Sequence, residues 1–256
     1  MDWNSEQYLK FERERTQPAI DLINRMNIKN AGKIADIGCG PGNSSEILKK
    51  AYPKAHVIGA DNSGNMLTAA KKRCPDIDFI LCDVSKSLYK LGGGFDAVFS
   101  NACLQWVPEH RKILAELFSI MKRGGVLAVQ VPYNFNEPIH KIINATAALP
   151  KWKKYFTSPR IFYTLRPEEY YDILSANAFE VHMWETTYYH ILPSQRSILE
   201  WYRSTGMKPY LDALPGAMKT VFENDVMEKV KIAYPLQKDG KVLFKFPRLF
   251  FTAVKK

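Results

Sequence analysis

The chain has 256 residues, 46% of them hydrophobic, which suffices for a large buried core and excludes disordered, collagen-like and disulfide-scaffold classes. No apolar run approaches the roughly 20 residues of a membrane span, and Met1 to Lys10 is too polar for a secretory signal, so no membrane partner is expected. The formal charge of +10 is spread in small clusters such as Lys71-Lys72-Arg73; without a binding motif it implies a solvated surface or an anionic small substrate, and no nucleic acid is expected.

Apolar runs at Lys33–Gly38, His56–Ala60, Asp78–Cys82, Ala97–Ser100 and Val126–Val131 read as strands. Helix-like stretches at Asn43–Ala51, Asn65–Arg73 and Glu109–Met121 alternate with them, the third behind Pro108 and closed by Gly124-Gly125. The second half differs. Glu137 to Leu149 reads as helix, followed by a lysine- and aromatic-rich connection punctuated by Pro150, Pro159 and Pro167. Phe179 to Leu192 and Lys241 to Val254 are β-rich, with helical patterns at Gln195–Arg203 and Ala217–Ala233 between them. The pattern predicts an α/β fold: a doubly wound, mostly parallel seven-stranded sheet with an antiparallel C-terminal strand pair and a helical lid. Cys39, Cys74, Cys82 and Cys103 show no C-x-x-C spacing, which fits reduced thiols in the cytoplasm. The five histidines lack metal-ligand spacing, and no metal is expected.

Ala35-Asp36-Ile37-Gly38-Cys39-Gly40-Pro41-Gly42 follows the first strand and opens into a helix, the layout of a nucleotide-binding corner. A dinucleotide fingerprint wants its third glycine where Asn43 stands, which argues against a nicotinamide dehydrogenase. Asp36 precedes the turn, Asp61 ends the second strand and Asp83 the third. Ligands of open parallel sheets bind at the carboxyl ends of strands, so Asp61 is placed for ribose hydroxyls and Asp83 for the base. The alternative is that each aspartate caps the following helix or turn.

This set resembles the class I S-adenosylmethionine-dependent methyltransferases, whose Rossmann-like fold carries an acid followed by G-x-G-x-G. The resemblance implies S-adenosyl-L-methionine as cofactor, held by Asp36, Gly38, Gly40, Gly42, Asp61, Asn62, Met66, Asp83, Val84 and Asn101, with S-adenosyl-L-homocysteine as product. Further segments are similar to one subgroup, the trans-aconitate methyltransferases. They are Asp2-Trp3-Asn4, Tyr8-Leu9-Lys10-Phe11, Glu14-Arg15, Ser100 to Pro108, Tyr170 to Leu174, Thr187 to His190, Ser204-Thr205-Gly206, Tyr234 to Gln237 and Phe246 to Phe250. Tyr133 departs, standing where the best-known member has an acid, as does the Lys151–Tyr163 connection. The resemblance implies a single methyltransferase domain over 1–256, made of an N-terminal helical cap (1–30), a cofactor-binding core (31–135) and acceptor-side helical insertions (136–177 and 193–238). It also implies O-methylation of a small anionic polycarboxylate, by a monomer. The alternative is a class I methyltransferase with another small-molecule or RNA acceptor, although Asn101-Ala102-Cys103-Leu104 lacks the Pro-Pro-aromatic motif of amine methylation.

A carboxylate is already ionised at pH 7, so no general base is required, and positioning falls to Tyr8, Gln105 and Trp106. Arginines are expected to grip the carboxylates that do not react. Arg248 lies in the apolar run Phe244–Phe251, where a charge is costly unless paired. Phe11 and Arg15 share a helix face with Tyr8, and Tyr133, Tyr189 and His190 complete the expected substrate contacts. Tyr188 and Tyr189 alternate along a strand, so one of them faces away.

Overall fold

The computed structural model describes residues 11–156, 162–203 and 205–256. Helix α1 (Glu12–Ile23) precedes β1 (Lys33–Ile37), α2 (Asn43–Ala51), β2 (His56–Asp61), α3 (Gly64–Arg73), β3 (Asp78–Leu81) and β4 (Phe95–Asn101). A short 3-10 turn, Leu104–Trp106, leads to α4 (His110–Ser119) and β5 (Met121–Pro132). Then come α5 (Pro138–Ala147), α6 (Pro150–Lys153), α7 (Pro167–Asn177), β6 (Ala178–Leu192), α8 (Gln195–Arg203), α9 (Lys208–Ala213), α10 (Gly216–Ala233) and β7 (Val242–Lys255).

The seven strands form one sheet in the order β3-β2-β1-β4-β5-β7-β6. The first five are parallel, with Ala35 opposite Ile58 and Val98, and Val98 opposite Leu127. Strands β5, β7 and β6 run antiparallel to one another in sequence along the edge. Ile34, Ala35, Val98, Phe99, Leu127 and Ala128 are fully buried, as parallel strands covered on both faces require.

Two compact units divide the chain. The first takes the described residues up to Pro132, with Phe162–Thr186 and Leu249–Lys256; the second takes the described residues of Tyr133–Ile161 and Thr187–Arg248. The second unit is centred on α5 and α10. Trp152 stands edge-on to Phe222 at 5.1 Å and donates its Nε1–H to Asp225 Oδ2 at 2.8 Å. The Tyr234 hydroxyl accepts the Ile139 N–H at 3.0 Å.

One boundary is corrected by the structure. Gly124-Gly125 does not close α4, which ends at Ser119; the pair lies within β5, where the register jumps from Phe95–Met121 to Ala97–Val126. Gly124 has φ +76°, and a Cβ on Gly125 would meet the Lys122 carbonyl oxygen at 2.9 Å, so the glycines make an irregularity in a strand. The connection after Pro150 also holds structure, because Pro150 and Pro167 each occupy a first helical turn, where a missing N–H is harmless. Among the described residues no helix is long and apolar enough to cross a membrane, and no group of metal-ligating side chains is found.

Candidate functional site

The glycine turn is fastened to the strand beside it. Gly38 N–H and Cys39 N–H both donate to the Ala60 carbonyl, at 2.7 and 3.0 Å, and Gly42 N–H donates back to the Cys39 carbonyl. Two glycines then do different work. Gly38 has φ +72°, and a Cβ there would lie 2.3 Å from the Cys103 Cβ and Sγ, so the protein itself forbids a side chain. Gly40 has φ +55° and, among the described residues, nothing within 4 Å of a Cβ, so the backbone itself is the constraint there and its open side leaves room for a ligand. Gly38→Ala should therefore cost about 3 kcal/mol or more of stability through overlap and backbone strain. Gly40→Ala should cost only about 1 kcal/mol while weakening S-adenosylhomocysteine binding at least ~10-fold. Thermal melts with and without that ligand separate the two; equal losses of Tm would contradict the assignment.

The strand-end acids gather round this turn. Asp61 accepts the Gly40 N–H at 3.0 Å on Oδ2 and the Ser63 N–H at 2.9 Å on Oδ1. Burial raises its pKa and those backbone donors oppose the rise. The Asn62 N–H adds to these donors, and a carboxylate of two oxygens has about four lone-pair sites in all. Asn62 is exposed beside it, and Met66 is buried in the first turn of α3. Asp83 accepts from the Ser85 hydroxyl at 2.6 Å and the Ser85 N–H at 3.0 Å, and the hydroxyl chiefly holds its pKa low. Val84 beside it is buried. Asn101 ends β4 opposite Gln130, with an Oδ1 that is buried and has no hydrogen-bond partner among the described residues.

Asp36 is the most deeply placed of the acids. Its Oδ2 accepts from the Ser44 and Ser45 hydroxyls at 2.7 and 2.6 Å, which ties β1 to the first turn of α2. Burial lifts its pKa from 3.8 to about 6; the two serines oppose the rise and Asp61 adds to it. An acid raised on folding contributes most stability below its unfolded pKa and loses it as pH climbs through the folded one. The window here runs from pH 3.8 to about 6, and the full loss is on the order of 3 kcal/mol. His190 acts in the opposite sense, since burial and Arg248 lower its pKa from 6.5 to about 4 and stability is gained as pH rises through that interval. The two nearly offset each other in the wild type. Asp36→Asn, melted without cofactor, should gain in Tm relative to wild type between pH 4 and pH 7 by several degrees; a constant difference would contradict the burial of a charge here.

Cys39 and Cys103 lie in this corner as well. Burial pushes both thiols up, so they remain protonated packing groups rather than nucleophiles.

Of the expected acceptor-side residues, Gln105 and Trp106 sit in the 3-10 turn after β4. Gln105 donates Nε2–H to the Ala102 carbonyl at 2.7 Å, leaving its buried Oε1 without a hydrogen-bond partner among the described residues. Trp106 stacks obliquely on Phe162 at 5.3 Å. Behind the turn, His110 bonds the Leu104 carbonyl at 2.8 Å through Nε2, and Tyr170 Oη lies 2.7 Å from its Nδ1. Phe11 and Arg15 are buried at the start of α1, with the Arg15 N–H on the Phe11 carbonyl at 3.1 Å. Tyr8 lies outside the described residues.

The second unit holds the rest. Arg248 is buried, its guanidinium 4.5 Å from the Phe246 ring centroid and 5.9 Å from that of Tyr188. Tyr188 stacks parallel to His190 at 6.2 Å, whereas Tyr189 is 57% exposed on the opposite face of β6. The structure thus brings Tyr188, and not Tyr189, together with His190 and Arg248. Tyr133 is half-buried, donates its N–H to the Pro247 carbonyl at 3.0 Å and stands edge-on to Phe135.

Sequence reasoning missed Ser44 and Ser45 on Asp36, and Trp201 and Phe246 beside His190. The serines follow the turn directly and were findable from the closeness of strand end to helix start; Trp201 comes from α8 and carries no local signal.

A glycine turn bracketed by strand-end acids on a 3-2-1-4-5-7-6 sheet defines the methyltransferase fold class, and residues 34–125 match the family described as a methyltransferase domain. The fold is shared with the YcgJ protein of Bacillus subtilis (TM-score 0.61, 13% identity, 94% of this chain and 98% of that one). It is also shared with Haemonchus contortus phosphoethanolamine N-methyltransferase 2 in complex with S-adenosyl-L-methionine (TM-score 0.55, 18% identity, 93% of this chain and 52% of that one). The chain is 40% identical over 258 aligned positions to the trans-aconitate 2-methyltransferase of Variovorax paradoxus strain S110, covering 100% of this chain and 99% of the relative. It is 41% identical over 256 positions to that of Rhodopseudomonas palustris strain HaA2, covering 99% of each. The chain belongs to the trans-aconitate 2-methyltransferase family.

Proposed function

We propose that the protein transfers the methyl group of S-adenosyl-L-methionine to a carboxylate of trans-aconitate, giving a monomethyl ester. The observation that carries the reading is full-length identity of about 40% to enzymes named for that acceptor.

The residues present fit the cofactor. The Asp61 carboxylate is fixed at the end of β2 by backbone donors, and Gly40 leaves open space beside it among the described residues. In this reading Asp61 accepts the ribose hydroxyls, Asp83 and Val84 border the base, and Asp36 shapes the turn through Ser44 and Ser45. When bound, the cofactor supplies a methyl group activated on a sulfonium.

The acceptor oxygen is ionised at neutral pH and needs no base to deprotonate it. The protein's part is to fix the acid. Arg248 presents a planar fork of donors suited to a carboxylate, and its buried guanidinium lies among aromatic rings, where it is weakly hydrated. Tyr188, on the same face of β6 as His190, takes the place expected of Tyr189. Gln105 and Trp106 position the acceptor from the turn after β4. Four free cysteines suit a reducing compartment such as the cytoplasm.

The test is methyl transfer from labelled cofactor to trans-aconitate, isopropylmalate, other polycarboxylates and total RNA. Label in trans-aconitate is expected; label in RNA with silent acids overturns the reading. A thermal shift with S-adenosylhomocysteine but not with NAD is expected alongside it.

A further inference from the structure

Tyr188 and His190 share one face of β6, and Phe244, Phe246 and Arg248 share one face of β7, because alternate residues of a strand point the same way. The His190 ring is boxed by Trp201 from α8 at 4.8 Å, Phe246 at 5.9 Å, Tyr188 at 6.2 Å and Phe244 at 6.4 Å. It is 7% exposed, and its Nε2 is buried with no hydrogen-bond partner among the described residues. A buried polar nitrogen left without a bond costs stability, and a ligand that completes it would remove that cost.

Among the described residues, the groups facing this ring favour an anionic ligand. From β6 comes the Tyr188 phenol, from β7 the Arg248 cation, and from α8 the uncharged Trp201. Arg248 and His190 share two neighbours, Tyr188 and Phe246, so they serve one locality. We propose that His190 is a substrate-binding residue that becomes a cation only when the acid is bound: it takes up a proton as the substrate carboxylate settles on Arg248, and Nε2–H then donates to that carboxylate. This rests on the reading of Arg248 as a carboxylate grip.

The physical reason is the added negative charge beside the ring. Without ligand, aromatic burial and the Arg248 charge hold His190 neutral, at a pKa of about 4. A bound carboxylate adds a negative charge and an acceptor for the imidazolium, and both effects favour the protonated ring. The proton comes from solvent, and no bond other than N–H is made. Binding energy and proton uptake are therefore linked, and affinity should rise as pH falls through the interval between the free and bound states.

Calorimetric titration of trans-aconitate at pH 5.5 in buffers of different ionisation enthalpy reads the uptake directly. A substantial fraction of a proton taken up per acid bound is expected for wild type, with affinity ~10-fold tighter at pH 5.5 than at pH 7.5. His190→Phe, which keeps the ring volume, and His190→Gln, which keeps a donor without a titrating proton, should both lose the uptake; His190→Gln should retain the tighter binding of the two. The variants also correct for ionisation of the acid itself. Binding without proton uptake by wild type overturns the proposal and leaves the acceptor assignment standing. If trans-aconitate neither binds nor reacts, the acceptor assignment falls, and sodium succinate becomes the probe. The His190 ring resonances are then titrated with pH by NMR, with and without it: a raised His190 pKa supports the proposal, and an unchanged one overturns it.

Discussion

Asp61→Ala weakens binding of S-adenosylhomocysteine by about 100-fold or more, as titration calorimetry should show. Two ribose hydroxyls donating to one carboxylate form two charge-assisted hydrogen bonds, each worth about 1.5 kcal/mol or more, and every 1.4 kcal/mol is tenfold in affinity. The loss is larger than that sum because Asp61 also holds the Gly40 N–H and the Ser63 N–H. Without it, the turn that Gly40 opens towards the ligand loses one of its ties. Asp61→Asn keeps one oxygen and should lose about tenfold. A Kd for the alanine variant within threefold of wild type would remove Asp61 from the cofactor site.

Arg248→Ala should raise the KM for trans-aconitate by roughly 100-fold with kcat altered severalfold at most. A grip on a carboxylate that does not react is equally strong in ground and transition states, so its loss appears in KM. Truncating one partner of a buried charged pair typically costs about 2–5 kcal/mol, which brackets that change. Arg248→Lys should fall between, since it restores charge without the fork. The cofactor Kd should hold, because the cofactor acids belong to the other compact unit. A variant with unchanged KM, or with kcat alone reduced, would show that Arg248 does not hold the acid.

The parallel half of the fold was legible because its signals are local. Asp36, Gly38, Gly40, Asp61 and Asp83 lie at strand ends, and a strand end is readable from the apolar run before it. The Gly124-Gly125 pair misled because glycine permits a helix stop and a strand irregularity equally well; which one forms depends on the partner strand β4, far along the chain. Period two along β6 was legible, and it required that Tyr188 and Tyr189 face oppositely. Which of them faces inward depends on packing with Trp201 and Phe246, and no local spacing contains that. Arg248 is legible as a charge in an apolar run with Phe246 two residues before it on the same strand face, whereas its approach to Tyr188 of β6 emerges only from the fold.

The strand order β5-β7-β6 has a consequence for biosynthesis. During translation, β6 leaves the ribosome well before β7, yet β7 is the strand that lies between β6 and β5. Until Val242–Lys255 is made, the fifteen-residue β6 has no neighbour within the sheet, and its backbone N–H and C=O groups are open to other chains on both edges. The parallel strands can pair as they emerge, but the edge of the sheet must wait. Chains halted before residue 242 should be the ones that engage chaperones or aggregate.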